Sequence, residues 1–293
     1  MNKIHSTVWS QARRAYVVAH EKAATGGRPS SIRTMTAAVA AAVLALAGGE
    51  ALAACDATGY SSSTQVLDNG HCLEISGTVA PSTNNGPGVE VISGSDITNG
   101  GAIETSGLNG NGINIGPGHA LTGTLQNNGL IVSHMFLDGS SLGTNGIMVN
   151  AGTVGSVVNS ATSVIISDHG AGIQVQAGGT INNGVTNSGE ISGGKYGIRV
   201  ESQGQIFGGI TNSGTLSGTQ AGIGIHGGTP YGQFAPSLFG SITNQAGGQI
   251  SAWNNGIDIF QAVINGGITN EAGGTISGQD GDGIHISAQS TII

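Results

Sequence analysis

Val185-Thr-Asn-Ser-Gly-Glu-Ile191-Ser, Ile210-Thr-Asn-Ser-Gly-Thr-Leu216-Ser, Ile242-Thr-Asn-Gln-Ala-Gly-Gly-Gln-Ile250-Ser and Ile268-Thr-Asn-Glu-Ala-Gly-Gly-Thr-Ile276-Ser are four copies of one phrase. Each is followed by a Gly-Ile pair, at Gly197-Ile198, Gly222-Ile223, Gly256-Ile257 and Gly283-Ile284. Weaker copies open at Ile97, Leu125 and Val157. The isoleucine of the Gly-Ile element recurs at 113, 147, 173, 198, 223, 257 and 284, in steps of 34, 26, 25, 25, 34 and 27. Self-similarity at such a period marks a stacked repeat architecture.

Each unit holds three short β-type pieces separated by Gly, Asn and Ser, none with helical periodicity. No single unit can bury its apolar face, so stability has to come from stacking one unit on the next. Three strands in a turn of about 25 residues describe a parallel β-helix, with Ile and Val piled inside at the usual inter-strand spacing of about 4.8 Å. Gly makes up 54 of the 293 residues and aromatics 4%, a composition often found in disordered chains. Disorder, however, leaves the return of β-branched residues at fixed offsets unexplained. Residues 81–293 are therefore read as the repeat array, 54–80 as an N-terminal cap and 1–53 as a leader.

Within the repeat, Asn187, Asn212, Asn244 and Asn270 hold the same offset after Ile/Val-Thr. Stacked amides can hydrogen-bond along a fibre or solenoid axis, so one column of asparagines is expected at a turn. Two units are longer than the rest, and insertions into a solenoid must leave the stack as loops. They carry a large share of the bulky apolar residues. Met135, Phe136 and Leu137 lie in one, and Tyr231, Phe234, Leu238 and Phe239 in the other. Such residues are candidate binding loops or, equally, flaps that cover the solenoid's side.

Charge is sparse and unevenly placed. Beyond residue 53 the chain has two basic residues, Lys195 and Arg199, against 14 acidic ones, so that region carries −12 (2 minus 14). A surface of that sign repels a phosphate backbone, which argues against nucleic acid as a partner, and disfavours an anionic membrane surface.

The leader has an apolar run, Thr36 to Gly49, preceded by basic residues and followed by Ala51-Leu52-Ala53. That is the order of a secretory signal peptide, with cleavage after Ala53 or Ala54. The run is too short for a comfortable membrane span. The stretch before it is unusually long and opens Met1-Asn2-Lys3-Ile4, then Val8-Trp9, then Ala15-Tyr16-Val17-Val18 and Glu21. It resembles the extended signal peptide region of type V secretion systems, although His5 stands where that family usually has an aromatic residue. The Ile-Thr-Asn-x-Gly-x-Ile-Ser-Gly cadence in turn resembles single-chain autotransporter passengers. The resemblance implies a Gram-negative cell, a right-handed β-helix, and passage through an outer-membrane β-barrel encoded downstream of this chain. The array stops at Ile293 without a polar cap, as in the N-terminal part of a longer gene.

Two cysteines, Cys55 and Cys72, follow the leader. In an exported chain they most simply form one disulfide. Leu52-Ala53-Ala54-Cys55 also fits a lipobox, and acylation there would leave Cys72 unpaired.

Catalytic patterns are weak. Gly139-Ser140-Ser141-Leu142-Gly143 matches the nucleophile elbow, which needs a strand feeding a helix. Gly222 to Gly227 matches a dinucleotide fingerprint without its βαβ unit. Asp258 and His285 share one slot in consecutive units and should lie side by side, as an acid–base or metal pair or as a solvated surface pair with no third group aligned. Asp280 and Asp282 hint at a calcium loop. No cofactor is required by any motif. The expectation is an all-β, right-handed parallel β-helix acting outside the cell. It would serve as an adhesin for a host or bacterial surface protein or glycan, in adhesion, autoaggregation or biofilm formation. The alternative is a β-helix glycan-active enzyme of the polysaccharide lyase kind.

Overall fold

The computed structural model describes residues 6–10, 15–19, 55–81, 86–107, 110–134, 144–227, 237–288 and 290–293. The chain divides into two compact units, Met1–Leu52 and Ala53–Ile293. In the first, strands Ser6–Ser10 and Ala15–Ala19 pair antiparallel, Ser6 opposite Ala19. The cleavage residues Ala53 and Ala54 lie outside the described residues, as do Met135, Phe136, Tyr231 and Phe234.

The second unit is a parallel β-helix, without a helix among its described residues. Its strands stack in four columns. Column A holds the Gly-Ile strands, for example Ala171–Gln176, Tyr196–Glu201, Ala221–His226 and Asn255–Phe260. Column B is a shorter stack that includes Thr180–Ile181, Gln205–Phe207, Ser237–Phe239 and Val263–Asn265. Column C holds the Ile-Thr-Asn strands Val185–Asn187, Ile210–Asn212, Ile242–Asn244 and Ile268–Asn270. Column D completes the turn with Glu190–Gly193, Thr215–Gly218, Gln249–Ala252 and Thr275–Gly278.

The turn thus has four strand segments where the spacing showed three. Each segment of column B contributes a single inward residue, too little to show a period. In the turn of Tyr196 it is bounded by left-handed residues on both sides: Ser202 and Gln203 before it, Gly208 and Gly209 after it. Comparable left-handed corners follow column A at Ala151, Ala177, Gln261 and Ala288.

Register is strict through the array. Ile198 pairs with Ile173 below and Ile223 above, Ile206 with Ile181 and Leu238, Ile210 with Val185 and Ile242, and Leu216 with Ile191 and Ile250. All of these are fully or nearly fully buried in one continuous core. Burying one such side chain is worth about 1.5–3 kcal/mol, which has to offset the ordering of a Gly-rich backbone. Residues 55–80 are part of this stack. Leu73–Ile75 pairs with Ile97–Asn99 above it and with Asp56–Thr58 below it, and Thr78–Val79 pairs with Ala102–Ser106, so the stretch supplies the lowest levels of the stack.

One assignment from the sequence is corrected by the register. The spacing of the isoleucines puts Leu238 and Phe239 in an inserted loop, but they lie in the column B strand Ser237–Phe239. Leu238 is buried beside Ile206, and Phe239 stacks on Phe207 with ring centroids 4.6 Å apart. The extra residues therefore end before Ser237. The rings are stacked because register puts residue 239 directly above residue 207.

The Gly-Ile signature follows from how tightly the chain passes from column D to column A. A Cβ on Gly197 would sit 2.6 Å from the carbonyl oxygen of Gly222, and one on Gly222 2.7 Å from Cγ2 of Ile250. Glycine here is a requirement of close approach between turns. Gly197→Ala should lower stability by about 1–3 kcal/mol. Gly267→Ala, where a Cβ would meet nothing within 4 Å, should stay within about 0.5 kcal/mol of wild type. Urea midpoints at unchanged slope read both.

Candidate functional site

Asn187, Asn212, Asn244 and Asn270 lie in one column, in register. Three more asparagines, Asn99, Asn127 and Asn159, extend it below. Each Nδ2 donates to Oδ1 of the asparagine one turn up, at 2.8 Å for all six links from Asn99 to Asn270. The remaining capacity is used on the backbone, as when Asn212 Nδ2 donates to the carbonyls of Gly214 and Gln249 at 3.0 and 3.1 Å. All but Asn270 are fully buried. Buried amides survive only when satisfied, and here each is satisfied by its own repeat. The three lower members follow the weaker copies at Ile97, Leu125 and Val157, so their offset was already legible in the sequence.

A second arrangement occupies the outward side of column A. Alternate residues of these strands face solvent, which stacks Gln174, Arg199, Gly224, Asp258 and His285 in one line. Glu201, His226 and Phe260 stack in the parallel line two residues on. Glu201 takes Arg199 Nη2 at 2.6 Å and Gln174 Nε2 at 2.6 Å. Arg199 lies 4.7 Å over the Tyr196 ring, whose edge-to-face neighbour is His226 at 5.4 Å. His226 Nε2 stands 2.8 Å from Asp258 Oδ2, and His285 Nδ1 2.9 Å from Asp258 Oδ1.

Asp258 and His285 are thus neighbours, and a third group does join them. His226 belongs to the turn below and was missed because it is two residues off the aligned slot. That slot is Gly224, which has no side chain, and a Cβ there would strike the Tyr196 ring at 2.7 Å. The empty slot and the ring lying over it let the imidazole reach Asp258. Likewise Arg199 has an acidic partner that was not foreseen, Glu201 of its own strand.

Burial works to raise the Asp258 carboxyl pKa, but hydrogen bonds from His226 and His285, with their charges, outweigh it and hold the group below its ordinary value. Burial pushes the Tyr196 phenol up, partly offset by Arg199 and reinforced by Asp258 and Glu201. Among the described residues no group of three or more His, Cys, Asp or Glu is arranged to hold a metal ion.

The first 50 residues match the family model described as Extended Signal Peptide of Type V secretion system. This is a type V secreted protein. No curated protein and no solved structure matches the chain. Type V export leads across the outer membrane through a β-barrel partner, and the β-helix is the passenger such a leader delivers.

In the passenger, Cys55 and Cys72 are joined in a disulfide with Cα atoms 4.6 Å apart. They adjoin the paired residues Asp56 and Leu73 of neighbouring parallel strands. A sulfur held in that bridge is not available for acylation. Closing a loop of this size is worth about 3 kcal/mol by the chain-entropy account.

The remaining sequence candidates are dispersed. Gly222 to His226 lies in the column A strand Ala221–His226, stacked between parallel strands of the turns below and above rather than in a βαβ unit. Asp280 and Asp282 are exposed in a turn, where Asp282 N donates to Asn255 Oδ1. Gly139 to Gly143 lies outside the described residues.

Two measurements probe these arrangements. Asn212→Leu should cost about 1–3 kcal/mol, because Asn187 and Asn244 each lose a buried partner, and chemical denaturation would show it. Asp258 has a depressed folded-state pKa, so its stabilising contribution is complete above the unfolded carboxylate value of about 3.9 and is lost as pH falls through the folded value. Between about pH 5 and pH 3 the wild-type urea midpoint should fall more steeply than that of Asp258→Asn.

Proposed function

We propose that the passenger acts at the cell surface as an adhesin, in adhesion, autoaggregation or biofilm formation, with a host or bacterial surface protein or glycan as partner. One observation carries this reading: the stack repeats the same outward hydroxyl groups over four successive turns. Thr186, Thr211, Thr243 and Thr269 form one outward line, and Ser192, Ser217, Ser251 and Ser277 another. Ser217 Oγ is 3.0 Å from Ser192 Oγ. Such groups bind weakly one at a time, but a regular series presents many at once, and simultaneous weak contacts raise avidity by orders of magnitude. Extended solenoid faces suit that use.

A glycan-active enzyme is the second reading. It is favoured by the Arg199–Glu201 pair and the His226–Asp258–His285 cluster on one face of consecutive turns. Polysaccharides incubated with the exported protein would release reducing ends or unsaturated products under that reading, and neither under the adhesin reading.

The adhesin reading is tested by displaying the full gene product on a non-aggregating Gram-negative host. Cells should settle faster than cells displaying an in-frame deletion of residues 171–287. Equal settling with equal surface display rejects the proposal. For the long unit, the cut that tests its loop spans residues 228–236, because a deletion reaching Leu238 removes a core side chain.

A further inference from the structure

The outer face of column A differs from the rest of the solenoid surface. The threonine and serine lines carry hydroxyls, whereas this face gathers Arg199, Glu201, Asp258, His226 and His285 over four successive turns. Its polar groups are planar, mutually hydrogen-bonded and thereby held in fixed orientations.

Exposed aromatic rings coincide with it. Tyr60, Trp253 and Phe260 are aromatic side chains open to solvent, and two of them belong to the turn of Asp258. Phe260 is 40% exposed and lies two residues beyond Asp258 on the same face of strand Asn255–Phe260. Its ring is braced by the edge of His226 at 6.4 Å, and His226 is itself pinned by Asp258. Trp253, 52% exposed, stands at the corner that leads into the same strand. Solvent-facing rings beside fixed planar hydrogen-bonding groups are pre-organised for a ligand, so little ordering is left to do on binding.

We infer that this face of column A, from Tyr196 to His285, binds an uncharged oligosaccharide. A sugar ring has an apolar C–H face that stacks on the negative face of an aromatic ring, and hydroxyls at its rim that both donate and accept. Asp258 and Glu201 offer acceptors, and Arg199 donors. A polyanionic glycan is opposed by the charge of −12 beyond residue 53 (2 minus 14), and the charge of the one guanidinium on the face is offset by Glu201. The inference deepens the adhesin reading by naming a ligand class, and it rests on that reading only for its biological use.

The test uses the full chain, exported with its own leader and purified, against immobilised neutral oligosaccharides (glucan, mannan and galactan fragments) and anionic ones (heparan sulfate and polygalacturonate). Binding to at least one neutral glycan is expected. It should weaken at least tenfold in Phe260→Ala and in Asp258→Asn, and stay unchanged in Val66→Ser, an exposed position on the same column near the first turn. Thermal melting of each variant separates lost binding from lost folding. Should Phe260→Ala melt early, Asp258→Asn and Trp253→Ala carry the test. Absence of neutral binding, preference for the anionic panel, or equal loss in Val66→Ser overturns the inference. Cell settling is scored separately: sugar binding without aggregation upholds this face and rejects the adhesin role, and the reverse result rejects this face alone.

Discussion

Parallel in-register stacking is the constraint on which the rest of the passenger depends. Once strands of successive turns lie about 4.8 Å apart, a residue is surrounded by its own equivalents above and below. Any side chain that suits its column is therefore repeated, and any that does not must be accommodated at every neighbouring turn. The interior answers with isoleucine and valine, whose branched Cβ packs well on a pleated surface. The D-to-A passage answers with glycine, because the carbonyl of the next turn already fills the space a Cβ would take.

The asparagine ladder is the polar counterpart of the same rule. A lone buried amide in this core would be costly. Seven in register satisfy one another through six links, each member below Asn270 donating upward and each above Asn99 accepting from below, with the spare hydrogen bonds spent on turn carbonyls. The ladder also resists slippage. A shift of one residue would turn every amide outward and every Ile of the same strand with it. Stability and register are thus maintained by one set of residues.

Against this regular background the outer face of column A is where the repeat is broken. Gly224 leaves a gap in a line of larger side chains, and Tyr196, His226 and Asp258 fill it together. In a chain with 8% charged residues, the gathering of Arg199, Glu201 and Asp258 on one face is a departure from the solenoid's own requirements. Interior columns are held by packing, whereas an outward position is free to vary, and this is where chemistry can be added without disturbing the stack.

The fold was legible because it is periodic. Ile198, Ile223 and Ile257 return at matching offsets, and a repeat that cannot bury its face alone leaves stacking as the solution. The Ile-Thr-Asn phrase likewise revealed the asparagine column, and the leader's Met1 to Glu21 pattern revealed the secretion route. The fourth strand of each turn was hidden, since one inward residue has no period. So was the place of Leu238, which a count of residues between isoleucines put in a loop. Only the tertiary structure joined His226 to Asp258, because their sequence offset depends on a glycine gap one turn away. Periodicity determines which columns exist, as every turn meets the same neighbours; what happens across an irregular slot is decided by the shapes of the few side chains that meet there in space.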